Sequence, residues 1–105
     1  MKKRIVKNEF RYNYNEKHTN YIFEEENNVY HAIGLTHHAK TFHKKNMPLS
    51  QNPKKGKKEE AYVRNGIITD KKANYSNIDK RFTFSKSDFK NVKAKIRKYK
   101  RNRKK

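Results

Sequence analysis

The stretch that decides the fold runs from Tyr21 to His43 and reads YIFEEENNVYHAIGLTHHAKTFH. It contains two runs rich in aromatic and β-branched residues, YIF and VYHAI, and such residues favour β-strands. Asn27 and Asn28 lie between the runs, and asparagine tolerates the left-handed backbone conformation that tight turns require. The stretch therefore predicts a β-hairpin whose second strand ends at a cluster of histidine, lysine and threonine side chains.

An alternating pattern precedes this hairpin. Phe10, Tyr12 and Tyr14 alternate with polar residues, so a strand here would carry its three rings on one face. That aromatic face either packs on the hairpin or stands exposed as a platform on which nucleic-acid bases stack. Packing is the preferred interpretation, because the chain has few other residues with which to build a core.

Further strands are predicted after residue 60. Asn65-Gly66 separates AYVR from IIT, and this dipeptide between β-rich runs is typical of a type I′ turn, so we predict a second hairpin. The polar residues 70–80 are predicted to form an irregular connection. Residues 81–84 alternate again and predict a short last strand.

A helix is predicted over about residues 86–100. Ser85 and Asp88 match the capping-box pattern, in which a serine oxygen accepts an unpaired backbone N–H group at the start of the helix. One apolar stripe then recurs at helical spacing, formed by Phe89, Val92, Ile96 and Tyr99. The predicted fold class is therefore α+β. We expect a small curved antiparallel β-sheet, or a partly open SH3-like barrel, with one C-terminal helix.

Basic residues dominate the composition. The 105 residues include 29 Lys and Arg against 10 Asp and Glu, a formal net charge of +19, and 31% of the chain is hydrophobic. So small an apolar share predicts a thin core. Lysine and arginine release condensed counterions when they meet phosphates, so nucleic acid is the predicted partner, with RNA preferred to DNA. An anionic membrane surface is the alternative polyanion, but the helical stripe has neither Trp nor Leu, and no membrane partner is expected.

This length predicts a single domain. We divide the chain into a basic arm (1–8), one small α+β domain (9–100) and a basic tail (101–105). The chain has no cysteine, which excludes disulfides and thiolate metal sites, and neither a metal nor a cofactor is expected. No apolar run approaches the length of a membrane span or a signal-peptide core, so a cytoplasmic location is expected.

Phosphate contacts are expected from a loop, the helix and the tail. In the loop, the sequence KKGKK combines a glycine with lysines that are too charged to be buried. On the helix, cations occupy the faces away from the apolar stripe. The predicted nucleic-acid-binding residues are Lys54, Lys55, Lys57, Lys58, Lys93, Arg97, Lys98, Arg101 and Arg103.

Candidate catalytic residues gather where the second hairpin strand ends. Cleavage of RNA without metal needs a base for the 2′-hydroxyl, cations for the charged phosphorane and an acid for the leaving oxygen. Histidine titrates near neutrality and serves as acid or base, and Glu59 or Glu60 is an alternative base in a Glu/His scheme. The predicted catalytic set is Thr36, His37, Lys40, His43 and Arg64.

Other roles for these residues stay open. Basic nucleic-acid binders often hold His, Lys and Arg together without catalysis, so a non-catalytic binding protein is the main alternative. A third interpretation is an adaptor or inhibitor that binds a nucleoprotein complex. His18 and His31 are predicted to be structural, because His18 falls in a turn and His31 inside a strand.

The segment LTHHAKT that follows the first hairpin resembles the strand-then-Thr/Ser-Lys segment of the PemK/MazF-type endoribonuclease toxins, including their phage-abortive branch. The resemblance extends over residues 21–49. It implies an SH3-like β-barrel, metal-independent RNA cleavage and control by an antitoxin, and it matches Thr36 and Lys40 to the reactive positions. His37 stands where a small hydroxyl residue is expected, and the spacing to the lysine differs.

Overall fold

The structure is a computed structural model that describes residues 6–36 and 46–103, with side chains up to residue 101. Its strands are short except for three in the centre of the sheet, and a single turn of 3₁₀ helix (Lys72–Asn74) connects the last two strands. The elements are β1 (Phe10–Asn13), β2 (His18–Glu26), β3 (Val29–Thr36), β4 (Met47–Pro48), β5 (Tyr62–Lys71), β6 (Tyr75–Ile78) and the helix α1 (Lys86–Arg103).

The six described strands form one antiparallel sheet in the order β4-β5-β3-β2-β1-β6. In the part of the chain that the structure describes, the outer strands β4 and β6 do not pair with each other, so the sheet is not closed into a barrel. The predicted α+β fold, a small curved antiparallel sheet with one C-terminal helix, is confirmed. Within the described ranges, no helix is long and apolar enough to cross a membrane.

The predicted central hairpin is confirmed as β2 and β3. Asn27 in its turn has a φ of 50°, the left-handed conformation for which asparagine is suited. Ile22 pairs with Ala32 and Glu24 pairs with His31, so one extra residue, Phe23, bulges out of β2. Such a bulge increases the local twist of a strand.

The predicted second hairpin is wrong, because β5 runs unbroken through Asn65-Gly66. Neither residue has the positive φ that a type I′ turn requires. Ile67 pairs with Ile33 and Val63 pairs with Leu35, so two extra residues of β5 are accommodated in a bulge around Asn-Gly. The long edge of β3 supplies ladder partners on both sides of the dipeptide, and this pairing outweighs the local preference for a turn.

The structure also corrects the predictions for residues 70–84. The stretch predicted to be irregular contains the end of β5, the 3₁₀ turn and the edge strand β6. The stretch predicted as a last strand makes a single β-bridge, between Phe82 and Lys54. Phe84 is fully buried and Phe82 is half-buried. Both rings pack on Phe10, whose ring centroid lies 5.3 Å from that of Phe82 and 4.9 Å from that of Phe84.

The helix packs its apolar stripe on one face of the sheet, as predicted. Val92 and Ile96 are fully buried, and Phe89 and Tyr99 pack against the edge of the same cluster. The sheet contributes Phe10, Tyr21, Phe23, Ile33, Leu35 and Val63 to this core. A smaller cluster on the opposite face holds Ile22, Tyr30, Ala32 and Tyr75.

The start of the helix fixes the position of the loop that precedes β5. The Ser85 hydroxyl accepts a hydrogen bond from the backbone N–H of Asp88 at 3.2 Å, as the capping pattern predicts. The buried Asp88 carboxylate accepts a second set of bonds, from the backbone N–H groups of Ser50 at 2.8 Å and Gln51 at 3.4 Å. This carboxylate therefore ties the lysine-bearing loop to the helix.

Candidate nucleic-acid interface

A cleft of about 370 Å³ opens where the ends of β1, β2 and β3 face the loop before β5. We call it the basic cleft, because three lysines and one glutamate are among the described residues that line it. Leu35, Ala61 and Phe82 form part of its apolar lining. Its polar and aromatic lining residues are Tyr12, Lys17, His18, Thr19, Thr36, Asn52, Lys54, Lys57 and Glu59.

The aromatic strand β1 leads from the core to this cleft. Phe10 is fully buried, but Tyr12 on the same strand face is 37% exposed and Tyr14, just after the strand, is 58% exposed. The centroids of the two tyrosine rings lie 5.5 Å apart at 68°, an edge-to-face contact. Packing is therefore confirmed for Phe10, whereas the two tyrosines stand exposed, as the alternative interpretation expects.

The turn between β1 and β2 brings Lys17 to the cleft. Its backbone N–H donates to the carbonyl of Asn13 at 2.8 Å, which closes the turn. Lys17 has a φ of 61°, in the left-handed region that lysine seldom adopts and that costs about 1–2 kcal/mol for an L-residue. A strained residue at this position indicates that the surrounding structure, and not its own preference, fixes its conformation.

The opposite wall is a hydrogen-bonded turn. Gly56 adopts a φ of 81°, and the N–H of Lys57 donates to the carbonyl of Lys54 at 3.1 Å. The N–H of Lys54 donates to the side-chain oxygen of Asn52 at 2.9 Å, and the N–H of Lys55 donates to the carbonyl of Arg81 at 2.8 Å. Of the four predicted loop lysines, Lys54 and Lys57 line the cleft, while Lys55 and Lys58 lie outside it.

A second basic surface runs along α1, which we call the helix groove. Four cations at helical spacing share one side of the helix and border an open groove of about 810 Å³. The Nζ atom of Lys93 lies 4.6 Å from the centroid of the Phe89 ring. The groove is lined by Ser85, Lys86, Ser87, Phe89, Lys90, Lys93 and Arg97.

The other predicted phosphate contacts on α1 lie outside the groove. Lys98 and Arg101 are exposed but do not line it. Arg103 is the last helical residue, and its side chain lies beyond those described. Phe82 lines the basic cleft and Ser85 lines the helix groove, so the two surfaces adjoin within about 11 Å of extended chain.

The two predicted catalytic residues that the structure describes lie on paired strands but line different pockets. Thr36 ends β3 and lines the basic cleft, whereas Arg64 lines a different pocket and donates from Nη1 to Glu16 Oε1 at 3.2 Å. The Arg64 side chain crosses directly over Gly34, where an added Cβ would lie 3.1 Å from Arg64 Cδ. The remaining members of the predicted set, His37, Lys40 and His43, lie outside the described residues.

The cleft holds Tyr12, which the sequence offered as part of a stacking platform, and it adds Lys17 and His18 to the predicted residues. His18, predicted to be structural in a turn, instead begins β2 as an exposed residue. β1 and β2 begin to pair at Asn13 and His18, and this pairing fixes the position of the turn between them. The turn and the strand ends beside it bring Tyr12, Lys17 and His18 to the cleft. The structure also distinguishes Glu59 from Glu60, the two residues predicted as alternative bases. Glu59 lines the cleft, whereas Glu60 Oε2 accepts a hydrogen bond from the Tyr62 hydroxyl at 2.9 Å, and this bond raises the pKa of Tyr62.

His31 lies away from the cleft and is buried between two partners. Its Nδ1 atom lies 2.8 Å from Thr69 Oγ1, and its Nε2 atom lies 2.8 Å from Glu26 Oε1. Both ring nitrogens are thus engaged, which agrees with the structural role predicted for this histidine. Across residues 6–36 and 46–101, no group of three histidine, aspartate or glutamate side chains is placed to hold a metal ion.

No protein-family model, curated protein or solved structure matches this chain. The resemblance of residues 21–49 to the PemK/MazF-type toxins therefore stays a prediction from the sequence.

Proposed function

We propose that this protein binds RNA in the basic cleft. The observation that carries the proposal is the position of an exposed ring, Tyr12, in the same cleft as Lys54 and Lys57. These residues are remote in sequence and are brought together by the fold. Ammonium groups neutralise phosphates, and an exposed ring offers a surface to a base, so the cleft supplies both interactions that a nucleotide needs.

The charge of the whole chain supports the same partner. A net charge of +19 on 105 residues favours association with a polyanion at a rate that falls with ionic strength. The acidic run Glu24-Glu25-Glu26 belongs to the tip of the central hairpin and is not part of the cleft. Carboxylates beside phosphates are repulsive, so this tip is expected to face away from the RNA.

The test compares two pairs of lysines from one loop. Lys54→Gln/Lys57→Gln removes two charges from the cleft, and Lys55→Gln/Lys58→Gln removes two from the same loop outside it. We expect the first variant to weaken binding of a labelled single-stranded RNA and to lower the slope of log K against log salt by about 1.4, roughly 0.7 per phosphate contact. Fluorescence anisotropy between about 50 and 200 mM salt measures both quantities.

The control pair is expected to keep a slope close to that of the wild type. Equal losses in the two variants would show that the lysines act through total charge and not through the cleft. A flat salt response of the wild-type protein would contradict phosphate binding altogether. DNA of the same sequence, titrated alongside, tests the preference for RNA.

Metal-independent RNA cleavage is a second candidate function. The observation that favours it is that Glu59, His18 and Thr36 line the same cleft as the lysines, so a carboxylate base, an imidazole and cations surround one space. The base would take the proton of the 2′-hydroxyl, which attacks the phosphorus, and the acid would protonate the departing 5′-oxygen.

Cleavage is tested with end-labelled RNA in EDTA. We expect fragments from the wild type and from Glu60→Gln, and their loss from Glu59→Gln, because Glu59 lines the cleft and Glu60 bonds Tyr62. If the wild type binds RNA but releases no fragments, the protein is a binding protein without this activity.

A further inference from the structure

We infer that the cleft is selective for single-stranded RNA, because Tyr12 and Tyr14 form a stacking platform on its wall. This inference rests on the proposed function and adds the class of RNA that is bound. Tyr12 lines the cleft, and the Tyr14 ring contacts the Tyr12 ring edge to face. The two residues are 37% and 58% exposed, although Phe10 at the start of β1 is fully buried.

The geometry of the pair leaves surface for a base. In an edge-to-face contact each ring keeps at least one face that its neighbour does not cover. A chain with so few apolar residues would reduce its exposed area by packing these rings inward, as it does with Phe10 and Phe84. Their exposure beside a cationic cleft is the arrangement found in proteins that bind single strands.

The platform is held firmly on both sides. Tyr12 pairs with Thr19 of β2, and its backbone N–H donates to the Ser76 hydroxyl of β6 at 2.9 Å. Pairing on both edges fixes the backbone of Tyr12 and the direction of its Cα–Cβ bond, so no chain entropy is lost when a base stacks on the ring. Lys54 on the facing wall is positioned for the phosphate of the same or the next nucleotide.

A duplex does not satisfy this site. Bases in a double helix are already stacked on one another, and the deep major groove of A-form RNA does not admit side chains. An unpaired base can turn outward and stack on a tyrosine ring, and such contacts tolerate any base. The cleft should therefore accept both base and phosphate of a single strand, but only the phosphates of a duplex.

The experiment measures affinity for one RNA strand alone and for the same strand in a duplex, at fixed salt. We expect Tyr12→Leu to weaken single-strand binding roughly 5- to 150-fold (about 1–3 kcal/mol at 1.4 kcal/mol per tenfold) and to leave duplex binding unchanged. Tyr12→Phe, which keeps the ring, should bind like the wild type. Ile78→Ala removes an exposed side chain from β6 and is the matched control.

The outcomes separate this inference from the proposed function. If binding responds to salt and to Lys54→Gln/Lys57→Gln but is equal for strand and duplex and indifferent to Tyr12→Leu, the stacking platform is wrong and the phosphate cleft stands. If no RNA binds with a salt dependence, both are wrong. Circular dichroism melting of each variant confirms that the fold is retained.

Discussion

At Lys17, the backbone conformation is unfavourable for lysine, whereas the charge of the side chain suits the basic cleft. Its φ of 61° is unfavourable for lysine, yet its place in the β1–β2 turn brings its charge to the basic cleft. Asparagine or glycine would suit the turn better, as Asn27 does in the next one. On the proposed function, the lysine serves phosphate binding and not the turn.

Substitution separates these two effects. Lys17→Gly is expected to raise the free energy of unfolding by roughly 0.5–1 kcal/mol, because relief of the left-handed strain exceeds the entropy that glycine adds to the unfolded chain. Lys17→Gln should leave stability nearly unchanged. Both variants should lose RNA affinity equally. Urea denaturation and anisotropy check this, and a lower stability for Lys17→Gly would contradict this interpretation of the turn.

At the scale of elements, α1 has separate faces for packing and for charge. Val92 and Ile96 are fully buried in the core, whereas Lys86, Lys90 and Arg97 border the helix groove. The groove adjoins the cleft at residues 82–85, so a strand leaving the cleft has a second row of cations within reach. On the proposed function, the cleft and the groove together would contact more phosphates than either alone.

Two exposed lysines of the helix test whether RNA reaches the groove. Lys90→Gln removes a charge that lines it, and Lys98→Gln removes a charge from an exposed lysine elsewhere on the helix. With an RNA long enough to leave the cleft, Lys90→Gln should lower the salt slope by about 0.7, whereas Lys98→Gln should not change it. If the two variants show equal slopes, RNA does not contact the groove. The helix then either lies outside the binding surface or contributes only through its total charge.

At the scale of the whole molecule, sequence patterns predicted the elements that depend on neighbours in the chain. Asn27 predicted the central turn and Ser85 predicted the start of the helix, because each residue acts on backbone groups within a few positions of it. The turn predicted at Asn65-Gly66 is wrong, because the conformation there is decided by a long-range interaction, the pairing of β5 with β3. The cleft could not be predicted for the same reason, since Tyr12 and Lys54 come to line one cleft only through the fold, and no periodicity in the sequence records that placement.

Asp70 connects the end of β5 to the far side of the sheet. Its carboxylate accepts hydrogen bonds from the side-chain amides of Asn13 at 3.0 Å, Asn15 at 3.4 Å and Asn74 at 2.8 Å, although two strands separate β5 from β1 in the sheet. The bond from Asn13, with those from Asn74, the Lys71 N–H and Asn15, lowers the pKa of Asp70 against a smaller opposing effect of desolvation.

A lowered folded pKa means that Asp70 stabilises the fold at neutral pH and loses this effect as the pH falls below about 4, the usual range of a carboxyl group. We therefore expect Asp70→Asn to be less stable than the wild type at pH 7, by about 1–2 kcal/mol for the acceptor bonds it loses, and the difference to shrink at about pH 3. The substituted amide keeps one oxygen for Asn13 but sets a donor against the other amides, so the loss is partial. Urea denaturation at the two pH values measures it, and a difference that does not change with pH would show that the charge of Asp70 does not contribute to the stability of the fold.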